Sequence, residues 1–155
     1  MANAKQHKKA GQFTGGAVAL YRARHQPAPL RILLEAAGGV VAGGVGAGLY
    51  DAIEPATTPN HRGFGHSMVA NGTAAQYVVP MLDLWEDGWR ESAAEWEAMA
   101  KRHDLPPGKR ALYGLLSLWA SFMAGTGSGF VAGAASHLVL DSATPRGLPL
   151  LMKAL

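Results

Sequence analysis

Between Ala111 and Ser136 the chain carries no charged residue. A charge-free run of that length, roughly 20 residues or more, is what a transmembrane helix needs. It is also what a fully buried hairpin of two helices would show, with Gly125-Thr126-Gly127-Ser128-Gly129 as the break between them. A second uncharged run, Ala36 to Tyr50, follows Leu30, Ile32, Leu33 and Leu34 and is rich in glycine. Each glycine weakens a helix in water by roughly 1 kcal/mol relative to alanine. So many of them make sense where another helix packs closely against the same face, as small residues allow in membranes. Both runs lead to one fold class, an all-α compact bundle with Ala/Gly-rich apolar helices. Two settings remain open for it: insertion in or tight association with a membrane, or a soluble protein with buried helices.

The rest of the chain fits a single domain over residues 1–155, long enough to bury one core. Phe13, Ala17, Val18, Leu20 and Tyr21 predict a first helix near 10–24, ended by the turn Gln26-Pro27-Ala28-Pro29. The second helix covers about 30–50, and Pro55, Thr57, Thr58, Pro59 and Asn60 make 51–62 a loop. A third helix runs from about Ser67, a candidate N-cap, to Trp85, with Pro80 kinking or ending it. Trp89, Trp96 and Met99, with charges between them, predict an amphipathic helix in the polar middle at 86–110. Leu105-Pro106-Pro107-Gly108 then breaks the chain.

The formal charge of +3 is only mildly basic, and much of the excess falls at Lys5, Lys8, Lys9, Arg22, Arg24 and Arg31. Beyond Tyr21 no aromatic residue interleaves with these charges, which disfavours a nucleic-acid partner. An anionic membrane surface or a solvated terminus are the two readings of this leader. It is not followed by an apolar h-region and cleavage site, so no signal peptide is expected. There are no cysteines, which removes disulfides and thiolate ligands from consideration. Any metal must then be held by histidine and carboxylate, a donor set suited to zinc, manganese or iron.

Candidate ligands of that kind are spread along the chain. His61 and His66 flank Gly63-Phe64-Gly65, whose glycines permit close approach of the backbone to a ligand. His137 and Asp141 stand at i and i+4, on one face of a helix, where both can reach one ion. Asp51 and Glu54 follow the Gly-rich helix, where negative charge is unfavourable for the helix dipole and so suggests a cation-binding role. His7 is a further candidate in the polar leader, and Arg62 could hold an anionic group bidentately. His25 and His103 have no partner pattern and read as surface groups, and Glu35 faces either the site or a water-filled interior.

The segments His61-Arg62-Gly63-Phe64-Gly65-His66-Ser67 and Ser136-His137-Leu138-Val139-Leu140-Asp141-Ser142-Ala143-Thr144-Pro145-Arg146-Gly147 resemble the motifs of the YdjM-like family. These are LexA-binding, inner-membrane-associated metal-dependent hydrolases of bacteria and their phages. Gly65 stands where the family usually has threonine, Tyr50 where its acidic motif has proline, and Glu54 one position late for the second aspartate. Asp51 matches the first aspartate, and His7, with Gly11 four residues on, matches the N-terminal histidine. The pattern is also similar, more loosely, to zinc-dependent phospholipase C, an all-α bundle whose metals sit between helices.

The resemblance implies His7, Asp51, His61, His66, His137 and Asp141 as ligands of a divalent metal, most simply zinc, with manganese as the alternative. It implies hydrolysis of a small ester or phosphoester through a metal-bound water, with Arg62 holding the anionic group and Asp51 or Glu54 as general base. The expected location is the bacterial inner membrane or its cytoplasmic face, with a soluble cytoplasmic protein as the alternative. The rival function is a non-enzymatic membrane or phage-related structural protein that keeps the scaffold and a structural metal.

Overall fold

A computed structural model describes residues 4–53 and 67–143. They form helices α1 (Ala4–Ala23), α2 (Pro29–Gly46), α3 (Leu49–Ile53), α4 (Met68–Ala100) and α5 (Pro107–Ser142), with no strand among the described residues. The all-α bundle is the fold that the uncharged runs predict. α5 is its axis, packed against α1, α2 and α4 and touched by α3.

The packing rests on rows of small residues spaced four apart. On α5 the buried row is Ser117, Ser121, Gly125, Gly129, Gly133, His137 and Asp141; on α1 it is His7, Gly11, Gly15, Ala19 and Ala23. Side chains four apart form a ridge along a helix, and where the ridge is glycine the neighbouring backbone can enter it. Gly43 on α2 shows the tightness: a Cβ there would collide with the Gly11 carbonyl of α1, and a Cβ on Gly133 of α5 would collide with the Gly43 carbonyl. α1 therefore runs antiparallel to α2, and α2 parallel to α5.

This inverts the usual distribution of side chains. Among the described residues the buried apolar side chains are all alanines, Ala19, Ala47, Ala120 and Ala124 among them. Phe13, Leu33, Val41, Tyr77, Leu84, Leu115 and Trp119 are exposed. Two segments, Pro29–Ile53 and Pro107–Ser142, are long and apolar enough to cross a bilayer, and in their most apolar stretches only 39% of residues are buried. A core helix of a water-soluble protein would turn its large apolar residues inward. Small residues inside and large apolar ones outside suit lipid as the surroundings.

Four expectations on helix boundaries are corrected. α1 begins at Ala4 rather than near residue 10, so His7 lies on a packed helix instead of in a polar tail. The second segment ends at Gly46, and Asp51 falls in the separate turn α3 rather than in a loop. The third helix and the amphipathic helix are one 33-residue helix that runs through Pro80. Pro80 is exposed, and packing of α4 on α5 holds the helix after it, where Trp85 Nε1 donates to the Met123 carbonyl at 2.9 Å. Finally, α5 is continuous over 36 residues: the Gly125–Gly129 stretch is the contact surface for Glu35 and Gly39 of α2, not a hairpin break.

The ends are closer to expectation. Ser67 caps α4, its Oγ accepting from the Ala70 amide at 3.4 Å. α4 also reaches the other helices by charge. Arg22 of α1 donates through Nε to both Glu86 oxygens at 2.8 and 2.9 Å and through Nη2 to Asp83. Arg90 donates through Nη2 to Glu35 of α2 at 2.7 Å and lies 3.3 Å from Glu86. Glu35 and Glu86 are each 1% exposed, so two arginines neutralise two carboxylates inside the bundle.

Candidate metal centre

At the end of the bundle where α1 begins and α5 finishes, the four-residue rows place polar groups where glycines stood one turn earlier. The α5 row that carries Gly125, Gly129 and Gly133 continues into His137 and Asp141. The α1 row that carries Gly15 and Gly11 begins with His7. Because these rows interlock, their ends meet: the His7 and His137 rings stack with centroids 4.0 Å apart. His137 is fully buried, Asp141 is 3% exposed and His7 5%.

The donor atoms converge. His7 Nε2 lies 3.6 Å from Asp141 Oδ1, and His137 Nε2 lies 3.6 Å from Asp141 Oδ2. α3 adds Asp51, whose Oδ1 is 3.7 Å from His137 Nε2. One nitrogen or oxygen from each of His7, His137 and Asp141 falls within a 4.8 Å group. These spacings exceed a charge-assisted hydrogen bond of about 2.7–2.9 Å. Ligands roughly 2.0–2.2 Å from one ion in tetrahedral array are themselves about 3.4 Å apart. The histidine–carboxylate separations of 3.6–3.7 Å are close to that figure.

The orientation of His137 supports the same use. Its Nδ1 is 2.7 Å from the Ala47 carbonyl, at the break between α2 and α3. A carbonyl can only accept, so Nδ1 carries a proton, and Nε2 is the ring nitrogen turned toward the carboxylates, the one a cation would take. That is the arrangement by which second partners orient metal-binding histidines. Acting as ligands, two neutral imidazoles and two carboxylates would carry a net charge of −2, matched to a divalent cation. The donor set therefore fits a zinc-like ion held by nitrogen and oxygen.

Of the expected site residues, His7, Asp51, His137 and Asp141 come together here. Glu54, His61, Arg62 and His66 lie outside the described residues. His25 and His103 are exposed, in line with surface roles. Glu35 is not at this centre, because Arg90 takes up its carboxylate. Tyr50 was not foreseen as part of the site: its ring centroid is 5.6 Å from that of His137, and its hydroxyl is hydrogen-bonded to Asn71 of α4. The signal available in the sequence was its position, one residue before Asp51.

In comparison with known proteins, a family model described as YdjM inner membrane protein matches residues 1–152. No curated protein and no solved structure matches the chain, so the likeness to zinc-dependent phospholipase C has no counterpart in these comparisons.

Proposed function

Starting from a chain that belongs to the YdjM inner membrane protein family, we propose that it is a membrane-associated, metal-dependent hydrolase acting on an ester or phosphoester. The observation that carries this reading is the buried convergence of His7, His137 and Asp141, with Asp51 beside them. A divalent cation, zinc or manganese, supplies Lewis acidity at such a centre, lowering the pKa of water and polarising the oxygen of an ester.

The chain's own residues have separable tasks in this reading. His7, His137 and Asp141 bind the cation, and the Ala47 carbonyl fixes the His137 ring. Asp51 is the most accessible of the four, its side chain 38% exposed, so it stands on the side from which substrate and water arrive. It takes the proton from the attacking water wherever it is not itself a ligand. Arg62, close in sequence to α4, is assigned the anionic group of the substrate, and Glu54, His61 and His66 complete the set.

Metal analysis of the detergent-purified protein tests the centre. Stoichiometric divalent metal is expected in the wild type, and background levels in His137→Ala and His7→Ala. Undiminished metal in both variants removes the site. Turnover of phosphodiester, phosphomonoester and lipid-ester probes with added zinc or manganese then tests the chemistry. A second reading, a non-catalytic membrane protein with a structural cation, is favoured by the depth of His137, because structural metal sites are closed. Bound metal with no turnover of any probe is its signature.

A further inference from the structure

Beside the candidate centre is a cavity of about 440 Å³ between α3, α4 and α5. Leu49, Ile53, Ala74, Val78, Phe130 and Leu138 are among its walls, and Tyr50 and Asn71 are its polar lining residues. Small-molecule sites of this size are mostly apolar with a few placed polar groups. Here the polar groups are at one end only. Tyr50 and Asn71 are hydrogen-bonded to each other, and the Tyr50 ring lies against His137. The cavity is thus an apolar chamber whose polar edge adjoins the centre through the Tyr50 ring.

Its surroundings are apolar as well. Val69, Tyr77 and Val139, next in sequence to residues at the same ends of α4 and α5, are 50%, 71% and 67% exposed. In a membrane protein with an apolar exterior, such a chamber borders hydrocarbon rather than water. A wholly apolar guest would leave Tyr50 and the centre unused, and a wholly polar one would leave the walls unmatched. We propose that the cavity receives one acyl chain of a bilayer phospholipid, with the lipid's ester region at Tyr50 and Asn71, the polar edge next to His137. As an assignment of substrate class this rests on the hydrolase reading above, whereas occupancy of the cavity does not.

The test reconstitutes the full-length protein in phosphatidylethanolamine vesicles carrying a trace of phosphatidylglycerol with a photoactivatable diazirine at the end of one acyl chain. Cross-linked positions are mapped by mass spectrometry, and metal content is measured on the same samples. Labelling is expected to concentrate on Ala74, Val78, Val131 and Leu138 over the outward-facing Leu33 and Val41. Ala74→Trp, which fills the chamber, is expected to lower it by about tenfold, the equivalent of roughly two buried methylenes, while metal is retained. Ala135→Leu is the milder variant should Ala74→Trp not fold. Even labelling of chamber and exterior, or chamber labelling unchanged in a folded filled variant, overturns the proposal. So does chamber labelling seen only with a free fatty-acid probe, because that would make the lipid source wrong. His137→Ala separates the two readings: chamber labelling that persists without metal supports the acyl site even where the hydrolase assignment fails.

Discussion

At the scale of single residues, the interior charges are the most demanding feature of this molecule. Arg90 holds Glu35 and lies near Glu86, both 1% exposed, and removing it leaves the Glu35 carboxylate uncompensated in the bundle, while Glu86 keeps Arg22. Breaking a buried pair from one side costs about 3–5 kcal/mol. Arg90→Ala is therefore expected to lower thermal stability in detergent sharply, while Glu91→Ala on the exposed face of α4 stays within about 0.5 kcal/mol of wild type. A second residue-scale effect is pH-dependent. The Lys101 ammonium, by hydrogen bonding, holds the Glu97 carboxyl below the usual range; burial opposes this and the Arg31 charge adds to it. A carboxyl depressed in the folded state contributes stability above its unfolded pKa and loses it as pH falls through the folded value. Melting scans from pH 7 to below about 4 should show a small loss that Lys101→Met reduces, small because the Glu97 side chain is 38% exposed.

At the scale of helices, the interlocked rows decide which ends meet. Gly43 lies between the Gly11 and Gly133 backbones, and a methyl group there has no room because the neighbours are main chain. Overpacking of this kind costs about 1–3 kcal/mol. Gly43→Ala is expected to show that loss in thermal unfolding together with weakened metal retention, because displacing α1 moves His7 away from His137. Retained metal with normal melting would mean that α1 docks without this contact. The rows also explain what was legible. Glycines at 39 and 43, in the uncharged run before Tyr50, are legible in the sequence as a sign of close helix packing, whereas those at 11, 15, 129 and 133 are not. Which glycine faces which could not be read, since register depends on contacts between segments far apart in the chain, as between Gly43 and Gly133. The same limit made Gly125–Gly129 look like a helix break when it is a docking surface, and hid the continuity of α4 through Pro80.

At the scale of the whole molecule, an alanine, glycine and polar interior with an outer layer of Leu, Val, Phe and Trp matches an inner-membrane protein. α5 is 36 residues long, about 54 Å at 1.5 Å per residue, which exceeds the roughly 30 Å of bilayer hydrocarbon. Part of it must then project beyond the hydrocarbon or tilt. The protein is expected to remain with membranes through an alkaline carbonate wash and to require detergent for release. Recovery in the wash supernatant would contradict its apolar exterior.

What the sequence determined by itself was the helical class, the apolar runs fit for a membrane, and the residue types able to bind a cation without thiolates. Periodicity and the absence of charge are local properties, and so are the His-x-x-x-Asp spacing and the cap at Ser67. Only the tertiary structure decided that His7 stands against His137, that Asp51 comes within reach of His137, and that Glu35 is bound by Arg90 instead of joining them. It also opened an apolar chamber beside Tyr50. The physical reason is the same in each case. A helix fixes the direction of its own side chains, but the depth at which two helices interlock is set by backbones meeting at glycine, and that contact belongs to neither segment alone.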